Sequence, residues 1–266
     1  YSEILLQDNE NGENKREAAH YYKLAADQGE PKAMLYYANM LSIGDGIEEN
    51  KREAARYYRL LSDQGNIEAM IRYAEMLDEG DGIDESKEEA SKYYKLAADN
   101  GSVKAIFKYA EMISKGEVVE IIKKEEAHYY KLAVDQGHVE SMFKYAKMLS
   151  EGDGIEMNKK EASLYFKQAA DQGHVESMFK YAEMLSNGDG IEESKHLASK
   201  YYKQAADQGH VYSMVNYAFM LANGTGIEIN KPEAIHYYKL AADQGDSDAM
   251  FNYAVIAIRR RWSRCK

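Results

Sequence analysis

Residues 138–173, HVESMFKYAKMLSEGDGIEMNKKEASLYFKQAADQG, decide how the whole chain is read, because residues 174–209 repeat them with only eight differences. The marker Asp-x-Gly recurs at Asp27, Asp63, Asp99, Asp135, Asp171, Asp207 and Asp243, at a constant spacing of 36 residues. A fixed period of this length is the signature of stacked structural repeats, none of which can bury its apolar face alone. Cutting after each marker predicts an array over 1–258: six full repeats (30–65, 66–101, 102–137, 138–173, 174–209 and 210–245) between partial repeats 1–29 and 246–258. Residues 259–266 then form a basic tail outside the register.

Within a repeat the apolar spacing changes character once. Met142, Tyr145, Ala146 and Leu149 fall at i, i+3, i+4 and i+7, which predicts a first amphipathic helix closed by Gly152 as a left-handed cap. A second helix is predicted from capping boxes at Asn14-x-x-Glu17, Asn50-x-x-Glu53, Ser86-x-x-Glu89, Asn158-x-x-Glu161 and Asn230-x-x-Glu233. Its buried face reads Ala54, Tyr57, Tyr58 and Leu61 in one repeat, and the equivalent positions elsewhere. The expected fold class is all-α: a right-handed α–α superhelix of helix-turn-helix repeats.

Composition narrows the function classes. The chain is 45% hydrophobic and 30% charged, with two prolines, which fits a folded helical protein. A net charge of −11 argues against nucleic acid as a partner, and no apolar run reaches the ~20 residues of a membrane span. The single cysteine, Cys265, excludes an intrachain disulfide framework and suits a reducing compartment, so an intracellular, cytoplasmic setting is expected. Tyr1 occupies the register of Tyr37, so the chain reads as a piece of a longer array. Its terminal repeats are then expected to expose apolar surface and to favour end-to-end self-association.

The motif that runs through Met178, Tyr181, Ala182, Leu185, Gly188, Gly190, Ile191, Ala198, Tyr201, Tyr202, Ala205, Ala206 and Gly209 resembles that of the Sel-one-like repeat family, a relative of the tetratricopeptide repeats. Ala182, Tyr181 and Leu185 stand where that family commonly has Gly, Leu and Tyr, which are packing exchanges. The resemblance implies a non-catalytic adaptor that holds proteins together. Alternatives are a structural element of a larger assembly, or a regulatory segment beside an enzyme domain such as a kinase.

Other features have structural readings. His138, His174 and His210 share one register, and stacking by about 10 Å separates them too far to share a metal ion. No metal or cofactor is expected, and no catalytic constellation stands out of the repeated background. Gly-Asp-Gly at 44–46, 80–82, 152–154 and 188–190 lacks the order of a calcium or phosphate loop and reads as a tight turn. Repeat 102–137 breaks that turn, with Val118 in place of Gly and Ile122 in place of the cap. The second helix carries a basic stripe (Lys23, Arg59, Lys95, Lys131, Lys167, Lys203 and Lys239), read as offsetting the helix dipole near its C-terminus.

A binding surface is sought on the first helix, which by the tetratricopeptide resemblance lines a concave groove. Its solvent arc is charged in most repeats: Glu68, Arg72, Glu75 and Glu79; Lys104, Lys108, Glu111 and Lys115; Glu140, Lys144, Lys147 and Glu151; Glu176, Lys180 and Glu183. Glu140–Lys144 and Glu176–Lys180 are expected as i,i+4 pairs. Repeat 210–245 instead presents Tyr212, Asn216, Phe219 and Asn223, with Asn252 beyond. Aromatics flanked by amides suit capture of a protein or peptide, the amides clamping its backbone.

Overall fold

The computed structural model describes residues 12–117 and 123–263, with side chains described through residue 256. Among these residues the helices are α1 (Gly12–Asp27), α2 (Pro31–Ile43), α3 (Lys51–Asp63), α4 (Ile67–Glu79), α5 (Lys87–Asp99), α6 (Val103–Ser114), α7 (Lys123–Asp135), α8 (Val139–Glu151), α9 (Lys159–Asp171), α10 (Val175–Asn187), α11 (Lys195–Asp207), α12 (Val211–Asn223), α13 (Lys231–Asp243) and α14 (Ser247–Ser263). No strand occurs among them. The chain divides into two compact units at Tyr129/Tyr130, and each is a stretch of all-α repeat superhelix in which helices pack on their chain neighbours. The loop 118–122, the N-terminal register of Tyr1 and the last residues, 264–266, lie outside the described residues.

Each helix has its own start and stop. The even-numbered helices α2, α4, α8, α10 and α12 end at a left-handed glycine, such as Gly188 at φ +68°, whose N–H returns to Met184 O. Asn50, Ser86, Asn158, Ser194 and Asn230 cap the helices that follow, their side chains accepting the N–H three residues on. The boxes close differently from the reciprocal arrangement. The N–H of Asn158 is already donated to Leu149 O at 2.8 Å, so Glu161 accepts from the Asn158 amide at 3.0 Å instead. The turn is thereby tied to both helices at once. Asn14 is an exception to the sequence reading: α1 begins at Gly12, which places Asn14 inside the helix and leaves it no cap to form.

Packing rests on alanines that let helices approach and on tyrosines that fill the remaining space. Ala54, Ala90, Ala162, Ala198 and Ala234 are fully buried, and Tyr58, Tyr94 and Tyr238 are no more than 2% exposed. The other tyrosine of each pair meets a first-helix tyrosine edge-to-face, as in Tyr73–Tyr93 at 4.9 Å and Tyr181–Tyr201 at 4.9 Å. That hydroxyl then reaches back one repeat: Tyr201 Oη donates to Asp171 Oδ1 at 2.9 Å. The hydrogen bond from Lys167 holds the Asp171 carboxyl below its ordinary value, against desolvation and with help from Tyr201.

This contact corrects the reading of the basic stripe. No basic residue lies in the last turn of α9, α11 or α13. Lys203 sits earlier, donating to Asp207 at 2.8 Å and to Tyr237 Oη of the next repeat at 3.2 Å. The stripe is part of the joint between repeats, and its position follows the tyrosine rather than the helix dipole.

The Gly-Asp-Gly turn forms a second joint. Lys15, Lys51 and Lys159 bind Asp45, Asp81 and Asp189 of the next repeat at 2.6, 2.7 and 2.8 Å. The second glycine is required by closeness as well as by its positive φ. A Cβ on Gly190 (φ +76°) would lie 2.6 Å from the Lys159 Cβ and 2.8 Å from its carbonyl carbon.

Two pairs of substitutions test this account. Gly190→Ala should lower stability by ~1–3 kcal/mol more than Gly173→Ala in urea denaturation, since both carry positive φ but no atom lies within 4 Å of a Cβ at Gly173. Equal losses would show that φ alone demands the glycine. Tyr202, 4% exposed, should cost ~3–5 kcal/mol on truncation to Ala. Lys203→Ala should cost under ~1 kcal/mol, as a half-exposed pair does. Coincident midpoints for these two variants would contradict the assigned faces.

Candidate protein-binding surface

On most first helices the outer arc satisfies itself. Arg72–Glu75 (3.6 Å), Lys108–Glu111 (3.6 Å), Lys144–Glu140 (3.7 Å) and Lys180–Glu183 (2.9 Å) are ion pairs within a helix, and Lys104–Glu75 (2.5 Å) joins neighbouring repeats. The expected Glu176–Lys180 pair is not the one formed: Lys180 turns to Glu183, and Glu176 lies 3.5 Å from His210 Nε2. A surface whose charges are matched locally offers little to a partner beyond replaceable water.

Helix α12 departs from this. It carries no charged residue, and Tyr212 and Phe219 are 64% and 54% exposed. Asn216, Asn223 and Asn252 each donate one amide hydrogen to the carbonyl four residues back, at 2.9 Å. That fixes the amide planes and leaves the side-chain oxygens without a partner among the described residues.

A groove of about 760 Å³ opens between α12, α13 and α14. It brings together three of the five sequence-predicted residues, Phe219, Asn223 and Asn252. Tyr212 and Asn216 lie further along α12, outside its lining. The Tyr212 ring instead joins an aromatic cluster, 6.2 Å from Phe179 and 5.9 Å from His210. Lys231, Ile235 and Val255 also line the groove and escaped the sequence reading. A signal existed: Ile235 stands where other repeats have Ser or Ala, and Val255 where Glu75, Glu111, Lys147 and Glu183 stand. Only the fold shows that these register positions share one groove with Phe219.

The histidine ladder has a structural purpose. His138, His174 and His210 cap α8, α10 and α12, with Nδ1 accepting from the N–H of Ser141, Ser177 and Ser213 at 3.1–3.2 Å. An Nδ1 that accepts leaves the proton on Nε2, and His174 Nε2 lies 3.0 Å from Glu140 Oε2 of the preceding repeat. Glu30, Asn66 and Ser102 occupy the same register and cap by side-chain oxygen.

The Sel1 repeat matches residues 11–30, 31–66, 67–102, 103–138, 139–174, 175–210 and 211–246, which is most of the chain. The chain belongs to the Sel1 repeat family. Proteins of this family are in general non-catalytic scaffolds for protein–protein interaction. Among solved structures, c5321, a protective antigen present in uropathogenic Escherichia coli strains and displaying an SLR fold, is similar to this chain at 27% identity with a TM-score of 0.86. That match covers 92% of this chain and 52% of c5321, so the chain spans about half the length of that protein. A Sel1 repeat protein from Oxalobacter formigenes shares the fold at 24% identity and a TM-score of 0.70, over 88% of this chain and 68% of that one. No curated protein sequence matches the chain significantly. No helix among the described residues is long and apolar enough to cross a membrane.

The capping role of the histidines predicts a specific tolerance. His174→Asn should retain stability, because Asn66 already caps at this register, whereas His174→Ala should lose ~1 kcal/mol. Thermal melts of the two variants at neutral pH check this. An equal loss in both would assign the stabilisation to the Glu140 contact instead.

Proposed function

We propose that this Sel1 repeat array is a scaffold that captures a protein partner on the surface formed by Tyr212, Asn216, Phe219, Asn223 and Asn252. The observation that carries the reading is the exposure of Tyr212 and Phe219, 64% and 54%, on a helix face that is charged and in large part ion-paired in repeats 66–101, 102–137, 138–173 and 174–209. Exposed aromatic side chains lose little conformational entropy when covered and bury a large area, so they supply a disproportionate share of binding energy at interfaces. The fixed amides of Asn216, Asn223 and Asn252 offer oxygens for the N–H groups of an extended backbone, and each retains a second amide hydrogen for its carbonyls. Because Tyr212 and Phe219 are more than half exposed, binding and folding are separable. The Tyr212→Ala, Phe219→Ala double variant should keep the helicity and melting temperature of the parent and recover at least ~10-fold less partner in a quantitative pull-down. Undiminished recovery, or loss of the fold, would place the binding surface elsewhere.

A further inference from the structure

The groove beside α12 contains a lysine three of whose counterparts hold an aspartate of the next repeat, while Lys87 and Lys195 at the same register pair with Asp78 and Glu193 of their own repeats. Lys231 occupies the register of Lys15, Lys51 and Lys159, each of which binds an aspartate carboxylate of the next repeat at 2.6–2.8 Å. In those repeats the Gly-Asp-Gly turn folds back and delivers the carboxylate. After α14 the corresponding positions are Arg260, Arg261 and Trp262, and the backbone stays helical to Ser263 rather than turning. Without glycine no residue there takes the left-handed conformation cheaply, so the turn is not made. Lys231 has no ion pair with any described residue, and it is the single charged side chain among those lining the groove.

The rest of the groove is also specific to this repeat. Phe219, Ile235 and Val255, apolar at positions that are charged, Ser or Ala in most other repeats, converge on it. At its base lies Tyr238, 2% exposed and forming no hydrogen bond with any described residue. Burial pushes its hydroxyl up to about 12, so it remains a donor. Asn223 and Asn252 face the same space with unspent amide oxygens.

We propose that the groove binds an extended acidic peptide of a partner protein, an Asp or Glu carboxylate pairing with Lys231 beside a bulky apolar side chain seated among Phe219, Ile235 and Val255. The proposal rests on the reading of the α12 face as the binding surface and adds the chemistry of what it takes. Lys231 would hold the partner's carboxylate as Lys159 holds Asp189, so recognition uses an interaction the fold already makes elsewhere.

Selection of a random dodecapeptide display library on the whole chain tests both levels. Peptides with Asp or Glu next to Leu, Ile, Phe or Met should be enriched. Their affinity should fall at least ~10-fold on Lys231→Glu, and a peptide carrying Lys for its acid should bind that variant better than the parent. Lys159→Glu, altering a lysine already engaged with Asp189, should leave peptide affinity unchanged. Peptides that lack acidic enrichment, or that bind Lys231→Glu as well as the parent, overturn the carboxylate assignment. If such peptides still lose affinity with Tyr212→Ala, Phe219→Ala, the surface itself stands. No enriched peptide, or peptides indifferent to both sets of variants, overturns the surface as well.

Discussion

Backbone-to-backbone contact between successive repeats is the constraint on which the rest of this structure depends. The glycine at 190 lies so close to Lys159 that no side chain could intervene, and Gly46, Gly82 and Gly226 press against Lys15, Lys51 and Lys195 in the same manner. The contact sets the distance between repeats, and side-chain chemistry is then arranged around that distance. Asp189 reaches Lys159 because the turn has been brought within range. Tyr201 reaches Asp171 across the same pair of repeats. Such charged contacts are half-exposed and individually contribute little. Their value is geometric, since each is satisfied at one spacing only.

A consequence is that stability is shared between neighbours. The seam tyrosines are engaged both within their own repeat and by the repeat before, as Tyr201 shows by packing on Tyr181 while bonding Asp171. In an array of this kind the free energy is close to a sum of repeat and interface contributions. Local polar groups are correspondingly interchangeable where they only terminate a helix. Glu30, Asn66, Ser102, His138, His174 and His210 all cap first helices, and what they share is an acceptor atom at the right place.

Against this uniform background, the α12–α14 region is where the pattern is relaxed in favour of exposed chemistry. The arc loses its charges on α12, Lys195 loses its aspartate to Thr225 and pairs with Glu193 at 3.1 Å, and Lys231 meets no carboxylate among the described residues. The last two changes each remove an ion pair between repeats, and the last leaves Lys231 without a charge partner among the described residues. The Sel1 family assignment supplies the general scaffold role, and these departures supply the location at which we propose it is exercised.

The sequence alone determined the period, the two helices per repeat, the glycine stops and the buried tyrosine seam. All are local or recur at one spacing, so repetition multiplied a signal that one repeat would carry weakly. It also singled out Tyr212, Asn216, Phe219, Asn223 and Asn252 as departures from the charged arc. Tertiary structure decided what those residues share. Lys231 and Ile235 come from α13, and Val255, one period after Phe219, from α14; that all of them line one groove with Phe219 is decided by packing. It likewise decided that Tyr212 leans towards Phe179 and His210 rather than into the groove, and that Lys203 bridges to Tyr237 rather than serving a helix end. Those outcomes depend on how closely one repeat approaches the next, and that distance is set where a glycine backbone meets a lysine of the repeat before it.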